Sequence, residues 1–280
     1  MELTILVALD ESPWAQAAVE TALKLASCSP QTVRLVGVHV VNVTQLTGSL
    51  VKDLAGMLGW EPVVVPKKVE ASYRARGERL LGAFAERCAA AGVEVRTVLE
   101  TGAVVDRLAH HAGTADLIVV GGRGETELAY PGQGGGNLER LVRRAPTTVL
   151  ITPRSPLSFS GITIGYDGSD GAQVALRVTR KLAVFIGCPV RVCYVADGRR
   201  AEGFDPTDAA LAHLTEHGVE ATVVRLNGVP HEALPVLTAE AGHDLLALGY
   251  RGRSLLGGFF LGRVTERLLG ALDIGVIVAR

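Results

Sequence analysis

The sequence is poor in aromatic residues and has no excess of charge of either sign. Aromatic side chains make up 5% of its 280 residues, and 28 Lys and Arg residues face 29 Asp and Glu residues, for a net charge of -1. Neither the positive field nor the interleaved aromatic rings that nucleic-acid binding uses are therefore present. We expect no nucleic-acid partner.

Long hydrophobic runs are also missing. The longest candidate, residues 182–190, ends at Arg191, well short of the roughly 18 apolar residues of a membrane span. The first residues, MELTILVALDES, carry Glu2 and no basic segment, so they predict a first strand and not a signal peptide. The sequence predicts a cytoplasmic protein without a membrane partner.

Cysteines are few and are not clustered. Cys28, Cys88, Cys188 and Cys193 form no CxxC pair and no Cys/His spacing typical of a metal site. Cys188 and Cys193 are too far apart along one extended strand to form a disulfide, at about 3.3 Å per residue. The four residues predict buried, reduced thiols and no metal site.

One sequence unit is present twice. ITIGYDGSDGAQVALRVTRKLA in the second half matches ILVALDESPWAQAAVETALKLA in the first, LLALGYRG matches LIVVGGRG, and the ending GVIVAR matches TVLITPR. A Pro/Ser-rich connector, SPLSFS at 155–160, lies between the copies. The repeat predicts two tandem domains, residues 1–154 and 155–280.

Each copy alternates short β-branched strands with amphipathic helices. Residues 3–9, LTILVAL, predict the first strand, and Ser12 followed by Pro13 predicts the capped start of a helix. This alternation predicts, in each half, an open parallel five-stranded sheet with helices on both faces, a Rossmann-like architecture. Because the closing strands TVLITPR and GVIVAR would otherwise be bare edges, we expect the halves to pack as an intramolecular pseudo-dimer.

The copies differ mainly before their third strands. The offset between equivalent residues falls from 157 at Asp10 and Asp167 to 126 at Gly102 and Gly228, so the first half carries 31 extra residues. Most of them fall in 44–90, where a polar, proline-interrupted part precedes an amphipathic helix that begins at about residue 69. This segment is either a lid or partner surface, or a solvent-exposed elaboration of one helical connection.

Three places in each half converge on the carboxyl ends of the strands, where open parallel sheets bind ligands. They are the acid after strand one (Asp10 and Asp167), the end of strand two (Val40 and Val195), and the glycines after strand four. Glycines let backbone N–H groups approach an anion, and the following helix presents its positive end. An acid one crevice away suits a ribose hydroxyl or an adenine amine.

The second copy has Gly249 and Gly252, then nine residues, then Gly262, Arg263 and Val264. This pattern resembles the universal stress protein family, whose nucleotide-binding members carry G-x2-G-x9-G followed by a small hydroxyl residue. The resemblance covers both halves almost end to end, through the LDES and YDGS turns, GAVVDRL and GVPHEAL, and DLIVVGGRG and DLLALGYRG. It implies a stress-response protein with the adenine nucleotide alpha hydrolase-like form of the Rossmann-like fold.

Carried over residue by residue, the resemblance implies nucleotide contacts in both halves. In the first half they fall on Ala8, Asp10, Val40, Gly121, Gly124, Gly134, Gly135, Gly136 and Asn137. In the second half they fall on Gly165, Asp167, Val195, Gly249, Gly252, Gly262, Arg263 and Val264. The implied ligand is ATP, alone or with Mg²⁺, and the resemblance also implies that chains pair into a homo-oligomer.

Both copies depart from the family pattern. The first half has a loop longer by one residue and Gly136 at the hydroxyl position, so ordering its GQGGGN run on phosphate costs entropy. The second half has Arg263 at that position, which either adds charge-assisted contacts to a triphosphate or fills the phosphate site itself. ATP binding by the first half or by both halves is favoured.

The sequence shows no evident general base, nucleophile or metal cluster beside these residues. Ser169 after Asp167 lacks the G-x-S-x-G frame of a nucleophile elbow, and we expect it to cap a helix. We therefore hypothesise a protein that binds ATP as a stored or sensed ligand without fast turnover, and not an enzyme. A nucleotide-free scaffold acting through residues 44–90 and a slow ATP hydrolase stay open as alternatives.

Overall fold

The computed structural model describes residues 3–28, 32–42, 67–125, 136–196, 205–250, 261–269 and 273–280. The first half contains β1 (Leu3–Ala8), α1 (Pro13–Cys28), β2 (Val33–Val41), α2 (Lys67–Ala90), β3 (Glu94–Thr101), α3 (Val104–Ala112), β4 (Leu117–Gly121), α4 (Gly136–Arg144) and β5 (Thr148–Thr152). The second half contains β6 (Ile162–Gly165), α5 (Asp170–Ile186), β7 (Val190–Ala196), α6 (Thr207–Thr215), β8 (Ala221–Asn227), α7 (Pro230–Glu240), β9 (Leu245–Gly249), α8 (Arg263–Leu268) and β10 (Gly275–Ala279). The predicted alternation of strands and helices is confirmed.

These ten strands form one sheet in the order β3-β2-β1-β4-β5-β10-β9-β6-β7-β8. Neighbouring strands within each half are parallel, and β5 pairs with β10 in the antiparallel direction. Every residue of β5 and β10 is buried, whereas the outermost strands β3 and β8 include exposed positions. Continuous apolar runs therefore mark the central strands, as expected for parallel strands covered on both faces.

The two halves join along β5 and β10. Leu150 lies opposite Ile277 at the centre of the paired residues, and each is the third residue of its strand. A pseudo-twofold axis therefore passes between these two side chains. The expected pseudo-dimer is confirmed, because each closing strand covers the edge of the other.

Serine side chains begin the first helix of each half. The buried Ser12 Oγ accepts a hydrogen bond from Ala15 N at 3.1 Å, ahead of Pro13 in the first helical position. Ser169 Oγ accepts one from Ala172 N at 3.3 Å. Both hydroxyls satisfy a backbone N–H that the helix cannot bond itself. The predicted capping role is confirmed in both halves.

Helix α2 is the described part of the extra segment of the first half. It has 24 residues, whereas α6 in the corresponding connection of the second half has nine. The part of the segment before residue 67 lies outside the described residues. Leu81, Phe84 and Cys88 of α2 are buried against the sheet. Of the helices in the described ranges, none combines the length and the apolar character needed to cross a membrane.

The cysteines differ in their exposure. All four are free, and Cys88, Cys188 and Cys193 are buried as predicted. Cys28 is exposed at the end of α1, so the prediction of burial is wrong there, because Leu25 is the last buried core residue of α1. Burial raises the pKa of Cys193 to about 12 and the pKa values of Cys88 and Cys188 to about 11.

Thiol labelling tests this arrangement. Because the thiolate is the reactive form, buried thiols with raised pKa values react slowly. We expect a maleimide or disulfide reagent at about pH 8 to modify Cys28 of the native chain at least about tenfold faster than the other cysteines. Mass spectrometry of the labelled peptides identifies the modified residue, and unfolding in urea should make all four react alike. Equal native rates would contradict the burial of Cys88, Cys188 and Cys193.

Candidate nucleotide site

A cavity of about 220 Å³ opens at the carboxyl ends of β1, β2 and β4 in the first half. The turns after β1 and β4, the end of β2 and helices α2, α3 and α4 form its wall. Six of the nine first-half positions predicted from the sequence line it: Ala8, Asp10, Val40, Gly121, Gly124 and Asn137. Gly136 is the first residue of α4 beside the cavity, and Gly134 and Gly135 lie outside the described residues.

Asp10 ties two turns of the site together. One carboxylate oxygen accepts a hydrogen bond from Ser12 N at 2.9 Å, and the other accepts one from Glu125 N at 3.1 Å. A Cβ atom at Gly124 would lie 2.8 Å from Asp10 Oδ2. Glycine at this position therefore lets the turn after β4 close against the carboxylate.

Packing within the protein explains the glycine at Gly121 without any ligand. A Cβ atom there would lie 2.7 Å from Trp14 Cβ and 2.8 Å from Trp14 C. The same approach recurs in the second half, where a Cβ atom on Gly249 would lie 2.4 Å from the carbonyl carbon of Gly171. Both glycines let the first turn of a helix pack directly on the end of a strand.

The cavity has both apolar and charged lining residues. The apolar wall includes Ala8, Val38, Val40, Val105, Leu108, Leu138 and Leu141. The charged rim includes Asp10, Arg76 and Glu125. Pockets of this kind, with an apolar lining and a few polar groups, are typical of small-molecule sites.

Arg76 of α2 was not identified from the sequence. Its guanidinium donates to both Glu11 oxygens, at 2.6 and 2.5 Å, and lies 3.2 Å from Glu125 Oε1. The hydrogen bond from Arg76 is the main cause of a lowered pKa at Glu11. Tyr73, one turn earlier, also lines the cavity. The only sequence signal was the extra segment itself, since α2 has no counterpart of similar length in the second copy.

The family model of the universal stress protein family matches residues 1–153 and 159–280. The chain belongs to this family. Universal stress protein Slr1230 of Synechocystis sp. is 26% identical over 286 residues, covering 99% of each chain. A universal stress protein of Thermus aquaticus is 29% identical over 136 residues, covering 44% of this chain and 99% of its own. A crystal structure of a universal stress protein from Archaeoglobus fulgidus DSM 4304 covers 99% of this chain and 96% of its own, with a TM-score of 0.76 and 17% identity.

In the second universal stress protein unit, two leucine side chains pack against the end of β6. A Cβ atom at Gly165 would lie 2.8 Å from Leu234 Cδ1 and 3.0 Å from Leu248 Cδ2. Gly165 corresponds to Ala8, and Leu234 corresponds to Leu108 of the cavity wall. Leu234 thus packs directly over the strand end that faces the cavity in the first half.

The other predicted residues of the second half are dispersed among different environments. Asp167 Oδ1 accepts a hydrogen bond from Ser169 N at 3.0 Å, as Asp10 does from Ser12 N. Val195 is half-buried near the end of β7, Gly262 precedes α8, Arg263 is exposed, and Val264 packs on the core. Gly252 lies outside the described residues. The Asp and Val positions repeat the first half, whereas Arg263 faces solvent.

Tyr250 of the second unit stands where the first has Gly122, and its side chain points away from the strand ends. It is buried, its hydroxyl donates to Arg143 O at 3.3 Å, and the Arg280 guanidinium lies 3.7 Å from the ring centroid. Tyr250 therefore joins the two halves. This role is invisible in the sequence, because it depends on which element of the other half lies nearby.

Metal ligands are not grouped within the described residues: no three His, Cys, Asp or Glu side chains there are placed to hold a metal ion. The helical pair of His213 and His217 is engaged locally, since His217 Nδ1 donates to His213 O at 2.8 Å.

Proposed function

We propose that this universal stress protein binds ATP in the first-half cavity, as a stored or sensed ligand without fast turnover. The observation that carries the proposal is the convergence of Asp10, an apolar wall and the start of α4 around one open cavity. The family membership supports a stress-response role, and the doubled acid, valine and glycine pattern supports a nucleotide as the ligand.

The apolar wall fits an adenine ring. Val40 and Leu108 provide flat contact for a planar base, and burial of a ring against such side chains is favourable at roughly 25 cal/mol per Å². Asp10 lies beside this wall, and each of its oxygens uses one lone pair for a backbone N–H. Because a carboxylate oxygen has two lone pairs, Asp10 retains acceptor capacity for ribose hydroxyls.

The polar residues of the cavity and the start of α4 fit phosphates. Helix α4 begins at Gly136, and its first N–H groups and dipole favour negative charge. Asn137 and Gly124 line the cavity, and Arg76 supplies a cation. A triphosphate, alone or with Mg²⁺, is the expected occupant.

The hydrogen bonds of the polar groups support slow turnover. Asp10 accepts two backbone N–H groups, and His39 in the wall is bonded through Nδ1 to Leu9 O at 2.8 Å. These side chains are therefore fixed in positions that hold a ligand, and neither is aimed as a general base at an attacking water. We expect no ATP hydrolysis that responds to Asp10→Ala.

Isothermal titration of the full chain with ATP tests the proposal. We expect saturable binding to the wild type, at least about tenfold weaker binding to Asp10→Ala, and little change in Asp167→Ala, the matched position in the second half. Ala8→Leu is a second variant, designed to fill the cavity as Leu234 fills the corresponding space over Gly165. It should abolish binding while leaving Asp10 in place.

Thermal melts without nucleotide check that each variant is folded. A wild-type chain that binds no ATP at millimolar concentration would contradict the proposal and would favour the nucleotide-free scaffold. Weakening by Asp167→Ala alone would move the site to the second half. Phosphate release that is lost in Asp10→Ala would establish a slow hydrolase instead.

A further inference from the structure

We infer that Arg76 exchanges partners when ATP binds: its guanidinium breaks its ion pairs with Glu11 and Glu125 and binds the phosphates instead. This exchange links occupancy of the cavity to helix α2. This inference rests on the proposed ATP-binding function. It concerns a residue outside the acid, valine and glycine positions, on the helix that extends the first half alone.

The two carboxylates that Arg76 contacts belong to the turns that would hold the nucleotide. Glu11 directly follows Asp10, and Glu125 directly follows Gly124. Glu11 N also donates to Glu125 Oε1 at 2.6 Å. Arg76 therefore bridges the turn after β1 to the turn after β4, at the edge of the same cavity that both turns line.

Close packing of α2 places Arg76 at this edge. A Cβ atom at Gly77 would lie 2.6 Å from His39 Cδ2 and 2.7 Å from Leu99 Cδ1, so a larger residue there would require these side chains to move. Arg74 Nη1 donates to Thr101 Oγ1 at 3.1 Å and fixes the neighbouring position on β3. The backbone is thus held near the cavity, and the long Arg76 side chain can change partners by rotation about its own bonds.

Charge balance favours the exchange. Asp10 and Glu125 line the cavity with Arg76 and Arg123, and Glu11 pairs with Arg76 beside it. Phosphates near these three acids would be repelled unless a cation neutralises them. Arg76, Glu11 and Glu125 side chains are 36%, 48% and 36% exposed, and ion pairs at such exposure contribute little net stability. Arg76 already makes two charge-assisted hydrogen bonds with Glu11, and a phosphate offers the same bidentate geometry with more negative charge. Arg76 therefore gains by moving to the ligand.

The second half uses its corresponding connection differently. Asp205 and Asp208, at the start of α6, both pair with Arg225 of β8. Among the described residues of that connection, the acidic side chains belong to the helix and the cation belongs to the sheet. In the first half the cation belongs to helix α2 and the acids belong to the turns. The exchange is therefore specific to the first half.

A series of ligands with different numbers of phosphates tests the inference. Titration of the full chain with ATP, ADP and adenosine should show that Arg76→Ala weakens the binding of ATP at least about tenfold and the binding of adenosine less than about twofold. Arg76→Lys should recover part of the ATP affinity, because it restores charge without the bidentate geometry. Arg87→Ala is the matched control, since Arg87 lies on the same helix and pairs with Glu20 at 3.5 Å outside the cavity.

A double-mutant cycle separates partner exchange from simple loop support. Glu11→Gln removes the carboxylate that competes with phosphate for Arg76, so as a single variant it should tighten ATP binding. In the Arg76→Ala background this gain in affinity should be smaller. Equal losses for ATP and adenosine in Arg76→Ala, or weaker ATP binding by Glu11→Gln, would overturn the exchange while leaving ATP binding intact. No ATP binding to the wild type would overturn the proposed function and the role of Arg76 together.

Discussion

Replacing Asp244 with alanine is expected to lower the free energy of unfolding by about 3 kcal/mol, because one carboxylate anchors the connector between the two halves. Its oxygens accept hydrogen bonds from the backbone N–H groups of residues 158–160 and from the hydroxyls of Ser158 and Ser160. Phe159, in the middle of this segment, has a φ of 59° and is buried. The carboxylate thus holds a backbone conformation that a residue with a Cβ atom disfavours.

The first half offers a matched control for this change. Asp116 occupies the equivalent position before β4 and accepts a hydrogen bond from Thr4 N at 2.9 Å. Asp116→Ala should therefore cost only about 1 kcal/mol. Urea unfolding of both variants measures the difference. Equal losses would show that the connector draws its stability from the packing of Phe159 and not from Asp244.

Truncating the contact between the halves should have an effect of similar size. Leu150 and Ile277 are 1% and 0% exposed and face each other where β5 meets β10. Replacing either by alanine is expected to lower the free energy of unfolding by about 3 kcal/mol, through lost burial and the cavity that remains. Because the two side chains belong to one packed pair, the double variant should lose less than the sum of the two single losses.

Val236→Ala is the control for this pair. Val236 lies on α7 and is 55% exposed, so its truncation should change the free energy of unfolding by less than about 0.5 kcal/mol. Urea unfolding followed by circular dichroism compares these four variants with the wild type. If the losses at Leu150 and Ile277 were additive, the two residues would act as independent core positions and not as one contact across the axis.

Much of the fold could be predicted from the sequence, because its signals are local or repeated. The apolar runs of β5 and β10 indicated buried strands, and Ser12 before Pro13 indicated a helix start. The matching of TVLITPR to GVIVAR also predicted the junction of the halves, since two bare edges of the same kind can cover each other. The exposure of Cys28 could not be predicted, because apolar periodicity does not show which end residues of a helix lose contact with the core.

Less of the site could be predicted from the sequence, because the site depends on contacts between elements that are far apart in the chain. The turn around Asp10 could be anticipated from the repeat, but the Arg76 bridge depends on the approach of α2 at Gly77. The packing of Leu234 and Leu248 against Gly165 depends on their rotamers. The repeated motifs are similar in both halves, and they do not show how the side chains around them pack.

The antiparallel pairing of β5 with β10 has a consequence for how other molecules approach this protein. Since all strands of one half point against those of the other, their carboxyl ends emerge at opposite edges of the continuous sheet. The first-half cavity and the corresponding turns of the second half therefore lie at opposite ends of the strands, on opposite sides of the protein.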